Sequence, residues 1–271
     1  MSTAREVALF ISFLPDMILS FRGHWSVICN DSRRDPKTKA HWPVSLVTVT
    51  TAEFQRARSP EQQQRRRAAI LATARAMLDE LPPAEVSLRE LSRQVGLSKS
   101  NVVRYFPTRE AVFLTVLTDD WNAWLTAVES QLPRPDGRRR SHTRHELVAA
   151  VIAQTLGQHR RFCDLLAACQ TILEHNVPLH TAREFKSTAL THLHRLAELV
   201  RSRIPELGEA EGLEFAGIVW VLVAGAWPMA NPPPVIAAVL AEPQLAAMCV
   251  DFVPAMTRTL TVVLDGMTRR H

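Results

Sequence analysis

The stretch Ser87–Ala111 reads S-L-R-E-L-S-R-Q-V-G-L-S-K-S-N-V-V-R-Y-F-P-T-R-E-A, and its punctuation decides the fold. Ser87 and Glu90 have capping-box spacing: the Ser87 hydroxyl accepts from the Glu90 backbone N–H, and the Glu90 side chain reaches back to the Ser87 N–H. Leu88, Leu91 and Val95 recur at helical spacing and make the buried face of a first short helix. Gly96 stands where a helix closes on a left-handed residue, a conformation glycine adopts without a Cβ penalty. Leu97 plugs the turn, and Ser98 is the N-cap of a second helix reaching about Tyr105. Val102 and Phe106 face inward as an i, i+4 pair. Lys99, Ser100, Asn101, Arg104 and Tyr105 are left on or beside the outer face.

A helix too brief to stand alone, with short polar side chains flanked by cations, suits the major groove of DNA. Lys and Arg donate to guanine, Asn bonds adenine in bidentate fashion, and Ser is tolerant. A helical hairpin with a solvated face is the competing reading of this window. The surroundings favour the groove. Upstream, Ser59-Pro60-Glu61-Gln62 is a helix start, with Ser as N-cap, Pro at the first position and Gln completing a capping box. Ile70, Ala74, Met77, Leu78 and Leu81 then form one apolar stripe, ended by Pro82 and Pro83. Arg65, Arg66 and Arg67 near its beginning read as phosphate clamps or as a solvated cation cluster. From Arg56 to Glu110 there are eleven cations against six anions, an excess of five that equals the net charge of the whole chain, +5. The basic character therefore lives in this part, as a polyanionic partner requires.

The run Val86–Leu117, with the longer helix before it, resembles the DNA-binding domain of TetR-family (TetR/AcrR-type) transcriptional repressors. The matching residues are V-S-L-R-E-L-S-R-Q-V-G-L-S and N-V-V-R-Y-F-P-T-R-E-A-V-F, and Y-F-P-T-R-E is the most specific piece. One position departs: the family usually carries a phosphate-binding Tyr where this chain has Val103, and Tyr105 stands two residues further on. The resemblance implies an all-α fold, with an N-terminal three-helix helix-turn-helix domain joined by a linking helix to a larger helical ligand-binding and dimerisation domain. The corresponding division is an extension over 1–58, a DNA-binding domain over 59–117 and an effector-binding and dimerisation domain over 118–271. Phosphate contacts then fall to Arg65, Arg66, Arg67, Ser87, Tyr105 and Arg109. Base readout falls to Arg89, Lys99, Ser100, Asn101 and Arg104, with Val103 against a thymine methyl and Ser98 capping the helix that carries them. The partners implied are a near-palindromic double-stranded operator, a second copy of the chain and a small-molecule effector, in a cytoplasmic protein without a membrane anchor.

Downstream, Thr108 caps a helix from Arg109 to about Leu132, carrying Phe113, Leu117, Trp121, Trp124 and Val128. Pro133–Arg140 reads as a loop. Helical patterns follow at about 142–158, 160–175, 178–203, 208–227, 232–242 and 251–269, the third with a stripe of Phe185, Ala189, Leu193, Leu196 and Val200. Leu213–Trp227 has Glu214 as its only charge; too short for a bilayer span, it is expected to be buried all round. Val253, Met256, Leu260, Val263 and Met267 make a second seam. With Trp220 and Trp227, seven residues apart on one face, that seam is the expected dimer interface; ordinary core is the competing reading. The resemblance implies an effector pocket, for which Trp121, Trp124, Phe162, Cys163, Phe185, His192 and Trp220 are the expected lining, suited to an apolar or aromatic ligand.

Apolar residues reach 46%, which excludes a disordered chain overall; Gly is scarce at 9 residues and Tyr scarcer at 1, while Ala and Leu are abundant, which favours helix over sheet. Cys29, Cys163, Cys169 and Cys249 lack metal-ligand spacing and read as reduced thiols. The pairs His142/His145 and His192/His194, at i, i+3 and i, i+2 without evident Cys or carboxylate partners to complete a ligand set, are a weak metal signal, so no metal is expected. There is no glycine-rich phosphate loop, G-x-S-x-G or H-E-x-x-H, so neither a cofactor nor an enzyme is expected. A helical enzyme with a DNA-binding arm and a constitutive architectural DNA-binding protein are the alternatives. In the first 46 residues Val7–Ile18 is apolar but broken by Pro15 and Asp16, and falls short of the roughly 20 residues a membrane helix needs. Asp31–Pro43 is polar loop, and Asn30-Asp31-Ser32 is a chance glycosylation triplet. The expectation is a flexible or untranslated extension, with the functional start near Val47.

Overall fold

Helix α1 (Pro60–Glu80) buries Ile70, Leu71, Ala74, Met77 and Leu78; of the expected stripe, Leu81 falls just past the helix end and is half-buried against the core. The computed structural model describes residues 60–133 and 141–269, all within one compact unit. The expected extension over 1–58, with Cys29 and the start near Val47, lies outside the described residues, as do the Ser59 cap and residues 134–140.

Helix α2 (Leu88–Val95) begins at Ser87, whose hydroxyl accepts from the Glu90 N–H at 3.1 Å. Only that half of the expected capping box forms. The Glu90 carboxylate turns to the Arg93 and Gln94 side chains instead, and the Arg93 hydrogen bond carries its pKa below the usual value against a smaller opposing effect of burial. Gly96 takes φ +74° and ψ 26°; its N–H bonds Arg93 O, and the Leu97 N–H bonds Ser92 O, closing the helix. Helix α3 is one short turn, Lys99–Val103, capped by Ser98 and ending two residues before the expected Tyr105. Helix α4 (Arg109–Gln131) starts at Thr108, whose hydroxyl accepts from the Ala111 N–H at 3.1 Å.

Helices α5 (Ser141–Gln158), α6 (Arg160–Ala168), α7 (Leu179–Arg201), α8 (Glu209–Ala230), α9 (Pro234–Leu240) and α10 (Phe252–Thr268) complete the described residues, which contain no strand. Helix α4 packs on α1 and also on α5, α6 and α7; α5 pairs with α10; α8 lies against α6, α7 and α10. The expected single helix over 160–175 is interrupted. After Ala168 the chain widens into a π turn, Cys169–Leu173, which buries Cys169 and Leu173.

Two expectations for α8 are corrected. It continues past Trp227 and through Pro228 to Ala230, because the Trp227 indole is held by Asp164 and Asn231 closes the last turn with bonds to Trp227 O. Nor is it buried all round. Gly212, Phe215, Ala216, Val219, Val223 and Trp227 face the core, while Val221 and Met229 are 53% and 60% exposed. By length and composition α8 is long and apolar enough to cross a membrane, but what it does here is cover α6, α7 and α10 with one face.

A Cβ built on Gly96 meets no atom within 4 Å, so its backbone angle alone limits substitution. Gly96→Ala is expected to cost about 1–2 kcal/mol; equilibrium urea unfolding checks this, and an unchanged midpoint contradicts it.

Candidate nucleic-acid interface

The short α3 is positioned from beneath. Val102 is fully buried, Phe106 is 2% exposed, and Leu91, Val95 and Leu97 close the floor. This burial holds a turn that would not survive alone. Ser98 Oγ accepts from the Asn101 N–H at 3.3 Å and shares a hydrogen bond with Ser100 Oγ at 3.0 Å. On the outer side Ser98, Lys99, Ser100, Val103 and Arg104 are exposed, and Asn101 is half-buried. Ser87 and Arg89 at the start of α2, and Arg65 on α1, are exposed as well.

Three expected phosphate ligands sit differently. Arg67 lays its guanidinium over the Phe106 ring at 4.3 Å and reaches Tyr105 O at 3.4 Å, fastening α1 to the end of the recognition turn. Tyr105 itself is half-buried against the core. Arg109 is turned inward: its guanidinium donates to Val86 O at 3.0 Å and to Glu110 Oε1 at 2.9 Å, and lies over Phe113. The reason is Glu110, only 7% exposed, whose carboxylate requires a cation beside it. Arg66 is half-buried.

The seven residues expected around an effector largely meet. Trp121 contacts Phe162, His192 and Trp220 with ring centroids 5.8, 5.3 and 4.9 Å apart, and Trp124 stacks on Phe162 at 5.3 Å. Cys163 and Phe185 are buried too, and burial, aided by the Asp164 charge, pushes the Cys163 thiol well up. The expected dimer seam is divided: Trp227, Met256, Leu260 and Met267 are buried within the subunit, whereas Trp220, Val253 and Val263 are half-buried. Trp227 donates to Asp164 Oδ1 at 2.7 Å and meets Phe252 edge-on, which withdraws it from any partner.

Sequence reasoning missed the groups that tie helices together at long range. Arg161 on α6 grips Asp120 of α4 with two bonds of 2.7 and 2.9 Å and Asp79 of α1 with one of 2.6 Å. Arg75 pairs with Asp119. Asp265 on α10 receives His142 Nδ1 at 2.7 Å and His145 Nδ1 at 2.6 Å, so the histidine pair has a carboxylate after all, from a helix 120 residues away. Burial tends to raise the Asp265 pKa, but the hydrogen bonds from His145 and His142 carry it below the usual carboxylate value. Charge and periodicity show no such pairing in advance.

A short capped helix on an apolar floor, its outer face polar and cationic, defines the helix-turn-helix class of DNA-binding regulators. Residues 70–116 match the model of "Bacterial regulatory proteins, tetR family", and 118–271 match "Tetracyclin repressor-like, C-terminal domain". The chain belongs to the tetR family of transcriptional regulators. It is 33% identical over 95 residues to the HTH-type transcriptional regulator EthR of Mycobacterium tuberculosis H37Rv, covering 35% of this chain and 44% of that one. To EthR of Mycolicibacterium smegmatis it is 42% identical over 52 residues, 19% of this chain and 24% of that one. The matches thus span less than half the length of these curated relatives. A possible TetR family transcriptional regulator from Streptomyces coelicolor A3(2) shares the fold, with TM-score 0.50 and 17% identity over 76% of this chain and 100% of that one.

His192 is 8% exposed, and burial followed by the Arg195 charge lowers its pKa from the ordinary 6.5. Below that pH the unfolded chain takes up a proton that the folded ring resists, so this residue's contribution is present above pH 6.5 and is lost as pH falls towards the folded value. His192→Phe is expected to flatten the stability profile on the acid side of neutrality. Urea midpoints of both proteins across that range check this; parallel profiles contradict it.

Proposed function

We propose that this chain is a dimeric, cytoplasmic repressor released from its operator by a small apolar or aromatic ligand. The observation that carries the reading is the two-faced α3, an exposed cationic and amide side over a sealed apolar floor, joined to α4 by the short corner at Phe106–Thr108. Residues 59–117 would be the DNA-binding domain and 118–271 the effector-binding and dimerisation domain. Lys99, Ser100, Asn101 and Arg104, with Arg89 and Val103, would read bases, and Arg65, Arg66 and Ser87 would hold phosphates. For Arg67 and Arg109 the geometry favours a positioning role, since each spends its guanidinium on holding α3 or the start of α4 in place.

The coupling route follows from the same contacts. Arg161 clasps α1 and α4 together, and its neighbour Phe162 lies against both Trp121 and Trp124. A ligand that displaces Phe162 would move Arg161, and with it the DNA-binding helices. Effector and DNA would then weaken each other reciprocally.

Dimerisation is supported by the outer face of α8. Gly217, Val221, Gly225 and Met229 recur every fourth residue, and a Cβ on either glycine would meet nothing in the subunit. Helix-interior glycine costs roughly 1 kcal/mol relative to Ala, and no neighbour within the chain requires it. A second copy approaching this face and the exposed Val262 of α10 would. Replacing the expected Trp227, Met256, Leu260 and Met267 by this stripe shifts the interface outward by one helix face.

Lys99→Ala or Asn101→Ala is expected to cost about 1–3 kcal/mol on the operator and to relax preference at one base pair, while Arg65→Ala weakens all sequences alike. Titrations on specific and scrambled duplexes at two salt concentrations test this; equal behaviour of the two classes contradicts it. Val221→Glu is expected to sediment as a monomer where the natural chain sediments as a dimer; an unchanged dimer removes α8 from the interface.

A further inference from the structure

Three ring nitrogens of the aromatic core are buried without a hydrogen-bond partner: Trp121 Nε1, Trp220 Nε1 and His192 Nδ1. They belong to one constellation, with Trp121 touching both other rings. Two other buried indoles are treated otherwise. Trp124 donates to Thr155 Oγ1 at 3.0 Å and Trp227 to Asp164 Oδ1. Buried polar groups are nearly always satisfied, and a ring face is at best a weak acceptor; the two indoles can only donate, and His192 Nδ1 donates or accepts according to tautomer. Three exceptions at one place point to a hydrogen-bonding guest.

The surrounding charges define what that guest carries. Arg195 is engaged by Asn122 and Glu129, Asp120 by Arg161, and Lys186 by Glu174 while it lies over the outer face of Trp220. His192 is held towards its neutral form. Among the described residues the cations Arg195, Arg161 and Lys186 are each committed to a carboxylate, so an anion seated at the orphaned nitrogens would lose its hydration without a charge to compensate it.

We propose that Trp121, His192 and Trp220 are the polar anchor of the effector site, and that the effector is a neutral, mostly apolar molecule bearing a hydrogen-bond acceptor such as a ketone, ester or amide carbonyl. This rests on the reading of the aromatic core as the effector site. Trp220, the half-buried ring, is the one that swings to admit the guest; Phe162, on another side of Trp121, passes the displacement to Arg161.

The test is calorimetric titration of the full chain with three probes of matched size: butyrophenone, butylbenzene and 4-phenylbutyrate. Butyrophenone is expected to bind about fivefold more tightly than either other probe, the worth of one buried hydrogen bond. Trp121→Phe and His192→Phe shrink that advantage to below roughly twofold, with butylbenzene unaffected. Trp220→Phe, at the rim, repeats the comparison should the buried variants fail to fold. Equal binding of ketone and hydrocarbon, or tightest binding of the carboxylate, overturns the inference and leaves an apolar effector site standing. No heat from any probe at millimolar concentration overturns both the inference and the effector reading beneath it.

Discussion

Burial of both ends of helix α4 is the constraint on which the rest of the molecule depends. Twelve of its residues are buried; Ala111, Val112, Phe113 and Leu117 belong to the end that starts at the helix-turn-helix, and Trp121, Trp124, Leu125 and Val128 to the end that enters the helical bundle. The hydrophobic core is therefore continuous through one rod. A close-packed interior yields by discrete rearrangement rather than by bending, so in the proposed coupling a change around Trp121 would be carried along α4. The position of α3 is a consequence of this rod, since α4 departs from the Phe106–Thr108 corner that closes the floor beneath the recognition turn.

Electrostatics divides the cations into two populations with separate work. Arg75, Arg109, Arg161 and Arg195 are spent within the fold, each against a carboxylate that fixes one helix to another or to its own start. Arg65, Arg89, Lys99 and Arg104 face outward, where a polyanion could reach them. The net charge of the region is thus an imperfect guide to its binding face. Within it Arg67, Arg75 and Arg109 are structural.

What could be read in advance and what could not separate along physical lines. Ser87, Gly96, Ser98 and Thr108 announced their helix ends because a cap is satisfied within three or four residues of itself, and all four formed. Ile70, Leu91, Val102 and Phe106 were legible because burial follows the helical period. Arg109 misled: cation type says nothing of which carboxylate lies nearby, and Glu110 turned it inward. Leu213–Trp227 misled in a second way, since composition gives how apolar a helix is, while its neighbours decide which face they cover. The Arg161 and Asp265 clasps, and the π turn at Cys169, depend on contacts between distant parts of the chain and leave no local mark.

The central proposal is that two copies of α3, each held by its apolar floor, would enter one face of duplex DNA together. Hydroxyl-radical footprinting of the full chain on a fragment it selects from its own genome tests this most directly. The account predicts two protected, inversely related half-sites whose centres are separated by about one helical turn or a multiple of it. A single uninterrupted protection without two-fold relation, or no selected fragment at modest ionic strength, would contradict it.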